Sequence, residues 1–289
     1  DMTAYVKAST RKSTTVPAWA GGQMGLSDLL THQLWEEVAR AGRGELDNAE
    51  LQALEPLFVR QQDLSVLPQA DQLLLETCET KEGSHLYVFP FEGRFVHEGL
   101  GFLFATRLTR LHRGTVTVSV NDYGFELLAP RHYPFAELIN HHMEHLLDVA
   151  CLEEDLEQAL NLSELCKRRF RSIAQVAGLL VQGYPGKSKS TGQLQISGSL
   201  LFDVFNRHEP SSLLLRQARE EVLKEQLELP RLKASLERMV QSDIIHQPTP
   251  RPGPLAFPLL VERLNNRMSN ESILERIQRM QADALKREG

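Results

Sequence analysis

The stretch from Leu162 to Thr191, LSELCKRRFRSIAQVAGLLVQGYPGKSKST, constrains the fold of this chain more than any other. Read at about 100° per residue, it divides into two faces. Cys166, Phe170, Ile173, Ala177 and Leu180 fall on one side, and Lys167, Arg168, Arg171, Gln175 and Gln182 on the other. Six Lys or Arg residues and a single acid lie between Glu164 and Ser190, in a chain whose net charge is -6. Pro185 cannot continue a helix, and Gly183 and Gly186 favour a turn, so the helix is predicted to stop near Gly183. The result is a core-anchored helix with a cationic outer face and a Gly/Lys/Ser loop behind it. Such a surface suits a phosphate or an anionic polymer. The same pattern also fits a plain amphipathic helix with solvated arginines. Gly186-Lys187-Ser188 copies the end of a Walker A loop. Val181 stands where that motif needs a glycine, however, and a helix enters the loop where a strand is required, so a nucleotide loop is excluded.

The remaining composition sets limits. The 289 residues suffice for one large domain or two small ones. Hydrophobic residues make up 42% and charged ones 24%, as in ordinary water-soluble globular proteins. No run approaches the ~18 apolar residues of a membrane span, so no membrane partner is expected. The start, DMTAYVKAST, has no cationic stretch before an apolar segment, and no signal peptide is read there. Cys78, Cys151 and Cys166 form neither a disulfide framework nor a CxxC pair, which fits a reducing, cytoplasmic setting. The acidic balance confines any nucleic-acid contact to a local patch.

Along the chain, Ala4–Ala8 and Thr15–Trp19 read as short extended segments. Ser27 and Asp28 cap a predicted helix over 29–41 that carries Trp35 as a core residue. A second helix covers 48–62, with Pro56 predicted to bend or interrupt it. QLLLETCET, KEG and SHLYVFPF form a predicted hairpin turning at Gly83. A helix over 94–112 presents Val96, Leu100, Leu103, Phe104, Leu108 and Leu111 on one face. GTVTVSVNDYGFELLAP is a second hairpin with Asn121 and Asp122 at its turn. Helices are then predicted over 135–143, 146–160, 163–182, 196–207, 212–226 and 230–240. The segment 144–161 is an acidic counterpart to the basic helix, with six Asp or Glu and no Lys or Arg. SDIIHQPTP reads as an edge strand near 243–249, and a last amphipathic helix covers 271–286. The fold class is α+β, with a strand-rich part at 1–134 and a mainly helical part at 135–289 that returns an edge strand near 243–249, the two read as one composite domain of a larger chain.

Few residues carry chemistry. His141, Glu144 and His145 satisfy HxxEH, a metallopeptidase pattern, but no third ligand is identifiable and no metal is expected. There is no GxSxG and no complete phosphate loop, so no catalytic residue is assigned. Other features suit nucleic acid. Trp19 sits between Pro17 and a double glycine, where an indole could stack on a base or instead pack beneath the neighbouring helix. Arg94 and His97 open the 94–112 helix at i,i+3 spacing, where phosphate oxygens are favoured, although a structural salt bridge is an equal reading. Asn121 and Asp122 read as turn residues.

GRFVHEGLGFLFATRL, SVNDYGFELL, RRFRSIAQVAGLLVQGYPGKSKS, LLFDVF and PGPLAFPLL together resemble the C-terminal region of Lhr-type DEXH-box DNA helicases. The QGYPGKSKS form looks most like the ligase-associated bacterial branch. The resemblance covers nearly the whole chain, in order. It implies that two RecA-like motor domains and a winged helix lie upstream, which agrees with the lack of Walker A, DEXH and arginine-finger motifs here. It further implies a β-barrel module with packed helices that helps form a single-strand tunnel. No cofactor is implied for this stretch, since ATP and Mg²⁺ would belong to the full-length enzyme. Intact members are ATP-driven 3′-to-5′ translocases that unwind duplexes. Their V-P-x-W-x-G segment matches Val16, Pro17, Trp19 and Gly21, and its tryptophan stacks on a tracking-strand base. The better-known branch has a PLW-type segment after the basic loop. This chain has Gln193-Leu194-Gln195 there, which removes that expectation of DNA contact.

Two functions follow. One is a DNA-binding accessory domain of a helicase, binding single-stranded or tailed-duplex DNA in repair through Trp19, Arg94, His97, Arg168, Arg171, Lys187 and Lys189. The other is a protein-interaction or oligomerisation module whose basic helix docks on an acidic partner, its own 144–161 segment included.

Overall fold

A computed structural model describes residues 25–265, except 182, 185, 186 and 189. A mixed five-stranded sheet lies at its centre. β1 (Gln72–Glu79) and β2 (Ser84–Phe89) form an antiparallel hairpin turning at Gly83, with Leu75 opposite Val88 and Thr77 opposite Leu86. β3 (Thr117–Val120) and β4 (Phe125–Ala129) form the second hairpin, and β4 pairs antiparallel with β2. The two-residue strands β5 (Gly183–Tyr184) and β6 (Lys187–Ser188) pair with each other, apart from the main sheet. β7 (Asp243–Pro248) returns from the far end of the chain to pair parallel with β1, from Gln72 opposite Asp243 to Thr77 opposite Pro248. The strand order is therefore β3-β4-β2-β1-β7. Both hairpins and the edge strand were legible in the sequence.

β2 and β4 are buried along their whole length, because helices cover both faces of the sheet. Pleating sends Leu73, Leu75, Leu86, Val88, Phe125 and Leu127 to one face. There α3 (Arg94–Leu111) lies across the strands, with α4 (Phe135–Leu146), α5 (Leu152–Glu157), α6 (Leu160–Val176), α8 (Leu213–Glu221) and α9 (Leu229–Gln241) extending the same core. The other face sends Leu74, Cys78, Tyr87 and Phe89 against α1 (Asp28–Gly42), α2 (Ala49–Leu64) and α10 (Phe257–Asn265). The barrel implied by the family resemblance is therefore corrected. Among the described residues the sheet is open, with β3 and β7 as its outer strands, and closure would require the last strand to pair with the first.

Several helix limits differ from the periodicity. Pro56 lies inside α2 without interrupting it. The acidic segment is not one helix: α4, kinked at His142, ends at Leu146, and between it and the start of α6 at Leu160 only Leu152–Glu157 is helical. α6 ends at Val176, earlier than Gly183, because Gly178 takes a left-handed φ of 74°. α7 (Thr191–His208) starts earlier than 196 because Ser190 and Gln193 close a capping box. Gln193 therefore serves the helix start. Beyond α8, Val222–Gln226 forms a π-helical turn that leads into α9. The extended segments of residues 4–19 and the helix over 271–286 lie outside the described residues. No described helix is long and apolar enough to cross a membrane.

Candidate nucleic-acid interface

The start of α3 is fixed by Asp122 in the β3–β4 turn. Its carboxylate accepts the Leu26 N–H at 3.2 Å and the Arg94 N–H at 3.1 Å. The Arg94 side chain lies 3.5 Å from Asp122 and 3.8 Å from Glu262. Asn121 holds the turn itself, its Oδ1 accepting from the Tyr123 and Gly124 N–H groups at 2.9 Å each. Arg94 thus takes the salt-bridge role. His97 is wholly buried and leaves the interface, which corrects its assignment as a phosphate ligand. Its Nε2 accepts the Glu92 N–H at 2.9 Å, and its Nδ1 lies 2.6 Å from the Asn121 carbonyl. Burial lowers its pKa to about 4, against a weaker upward pull from the Asn121 carbonyl.

The cationic face of α6 is largely compensated within the protein. Lys167 pairs with Glu164 at 3.3 Å and with Asp203 at 3.4 Å. Arg169 pairs with Glu221 at 2.8 Å and with Glu225. Arg171 is half-buried under α7, where a Cβ on Gly198 would come within 2.9 Å of its Cγ. Arg171 therefore packs between helices and does not point freely outward, a second correction. Arg168 is exposed and has no ion pair within 4 Å among the described residues. Lys187 lies on β6. Trp19 and Lys189 lie outside the described residues.

Arg168 borders an open cleft of about 430 Å³, lined by Phe95, Leu165, Arg168, Arg169, Ser172, Glu225 and Gln226. Glu98, one turn along α3 from Phe95, lies behind it. Burial raises the Glu98 carboxyl above its usual pKa, while a hydrogen bond from Gln226 and the charges of Arg168 and Arg94 pull it back. Phe95, Ser172 and Gln226 carry no signal as site residues in the sequence. They are far apart in the chain, and no spacing rule joins them.

Among the described residues the acidic segment makes no ion pair with the basic helix. Its buried Asp155 accepts from Arg107 Nε at 2.7 Å and pairs with Arg110, both on α3. Burial disfavours the ionised carboxyl, but the hydrogen bonds from Arg110 and Arg107 outweigh it and hold the pKa low. Arg107 also donates to the carbonyls of Leu146 and Asp148 at 2.8 and 2.7 Å, capping the end of α4. His141 and His145 are exposed and stand on either side of the kink at His142. Among the described residues no group of three or more His, Cys, Asp or Glu could hold a metal ion.

The described residues thus form an open sheet layered between helices, with Arg168 bordering a cleft on one side. The chain belongs to the DEAD/H associated family, whose model matches residues 67–256. It is 26% identical over 274 residues to the ATP-dependent helicase Lhr-Core of Methanocaldococcus jannaschii, covering 89% of this chain and 31% of that protein. It is 25% identical over 272 residues to the ATP-dependent helicase Lhr-Core protein 2 of Thermococcus barophilus, covering 88% and 31%. Its fold matches the Mycobacterium smegmatis helicase Lhr, solved bound to ssDNA and AMP-PNP. There the TM-score is 0.68 at 21% identity, over 86% of this chain and 33% of that one. The chain thus spans about a third of the length of these relatives and corresponds to an accessory region of Lhr-type helicases.

Proposed function

We propose that this chain is the DNA-binding accessory region of an ATP-dependent helicase of the Lhr type, contacting the tracking single strand while the motor lies elsewhere in the polypeptide. The observation that carries this reading is Arg168, a solvated cation without an ion pair among the described residues, set over an open cleft in a chain of net charge -6. Family membership supplies the setting. ATP and Mg²⁺ would be held by upstream RecA-like domains, and translocation would run 3′ to 5′ in DNA repair. Lys167 can join the contact, since its surface pairs with Glu164 and Asp203 are worth only about 0–1 kcal/mol and exchange readily for a phosphate. Lys187 and Lys189 belong to the same proposal as cations of the loop after α6, and Trp19 through its place beside Pro17 and a double glycine and its resemblance to the V-P-x-W-x-G segment.

A second reading, a protein-docking module, is favoured by one feature of α7. Ile196, Leu200 and Val204 are 72%, 64% and 46% exposed and follow each other at i,i+4 spacing. Titration of the chain with single-stranded DNA over a salt series separates the two readings. A helicase accessory region gives a log K that falls steeply with log salt, and Arg168→Glu flattens the slope by about 0.7 for each phosphate no longer neutralised. A salt-independent affinity, or an unchanged slope in the variant, would leave the docking reading standing.

A further inference from the structure

We propose that the cleft between α3, α6 and the π-helical turn seats one unpaired nucleotide of a single strand, its base against Phe95 and its phosphate on Arg168. This rests on the single-strand reading above and adds the subsite. The cleft combines two chemistries that a nucleotide needs together. Phe95 and Leu165 give it an apolar wall, and Arg168, Arg169 and Ser172 give it a cationic, hydroxyl-bearing rim. Phe95 is half-buried, and one edge of its ring is backed by Gly25, where an added Cβ would come within 2.9 Å. An aromatic ring so held is a stacking platform that accepts any base. The volume of about 430 Å³ lies low in the ~300–1,000 Å³ range of small-ligand sites. The opposite rim is set in advance, since Glu225 pairs with Arg169 and Gln226 hydrogen-bonds the half-buried Glu98.

The open shape argues for a nucleotide within a strand. A free mononucleotide carries up to two charges on its phosphate, against one for a phosphate within a strand, and needs several converging donors. Here Arg169 is already shared between Glu221 and Glu225, leaving Arg168 as the unpaired cation. A duplex is disfavoured because its stacked bases present no face to Phe95. The strand supplies further phosphates beyond the cleft, so the subsite requires only one strong contact.

The test uses the 289-residue chain and a short oligothymidine carrying one 2-aminopurine. Binding is expected to quench the probe. Phe95→Leu, which keeps an apolar residue of similar bulk, should abolish the quench and weaken binding about tenfold. Phe95→Trp should restore both. Thymidine monophosphate should neither quench nor compete at equal concentration. A wild-type chain cross-linked to an oligonucleotide bearing 5-iododeoxyuridine should yield an adduct on the peptide containing Phe95, and this arm needs no variant to fold. Unchanged quenching and affinity in Phe95→Leu, with Arg168→Glu still impaired, would sink the subsite and spare the single-strand reading. An adduct confined to other peptides would do the same. Tight competition by the monophosphate would overturn the assignment to a strand. Full affinity in both variants would sink both readings.

Discussion

His97 and Arg168 show how burial sorts residues that look alike as site candidates. Both are polar residues on helices beside the cleft. His97 faces inward, where Nε2 accepts from Glu92 and Nδ1 faces the Asn121 carbonyl, an arrangement that fits only the neutral ring. Its pKa falls to about 4 from an ordinary 6.5, with burial as the main cause. The depressed value means that the unfolded chain binds the proton first. Stability from this ring is fully present above pH 6.5 and is lost as pH falls toward 4, by roughly 3 kcal/mol. Urea midpoints at pH 7 and pH 4.5 should therefore fall further apart for the wild type than for His97→Gln. Equal shifts would mean that the ring is already solvated in the folded state. The sequence could not separate the two fates, because i,i+3 spacing places Arg94 and His97 on one face without saying which elements cover it. The β3–β4 turn covers it, through Asn121 and Asp122.

Elements were most legible where one local signal controls them. The apolar period from Val96 to Leu108 marks α3, and the turns at Gly83 and Asn121 mark the hairpins. The limits of α6 were less legible, because three glycines compete to end it and Gly178 acts first. Two of these positions separate conformation from crowding. Gly178 has a φ of 74° and open space around it, so Gly178→Ala meets only the left-handed penalty, about 1 kcal/mol. Gly83 has a φ of 154°, and an added Cβ would lie 2.1 Å from the Ala129 carbonyl oxygen. The β1–β2 turn is thus pressed onto the end of β4. Gly83→Ala should cost several times as much as Gly178→Ala in denaturant midpoints, on the order of 3 kcal/mol. Equal costs would show that the turn can lift away from β4 without disturbing the sheet.

At the scale of the molecule, the two halves of the chain share one sheet. The division into a strand-rich 1–134 and a helical 135–289 follows composition, but composition does not say where a late strand inserts. β7 completes the sheet beside β1, with Asp243 N–H donating to the Asp71 carbonyl at 2.8 Å and Thr249 N–H to that of Thr77 at 2.8 Å. α10 then brings Arg263 to Glu126 of β4, at 3.1 Å, in the buried polar layer beneath α1 and α2. On the opposite face, Arg107 of α3 binds Asp155 and caps the end of α4. The cleft beside Arg168 has the same origin, with Phe95 from the first half and Leu165, Arg168 and Gln226 from the second. That is why its basic helix was legible in the sequence and its aromatic wall was not. Neither half can satisfy these groups alone. Residues 1–134 would leave one side of β1 unpaired and Arg107 without Asp155, and removing one partner of a buried ion pair costs about 3–5 kcal/mol. That loss is comparable to the whole stability of many domains, about 5–15 kcal/mol. Expressed separately, 1–134 and 135–289 should show helical signal without a cooperative melting transition, and the two together should regain one. A sharp transition in either half alone would establish a self-sufficient domain and break the link between the shared sheet and the shared cleft.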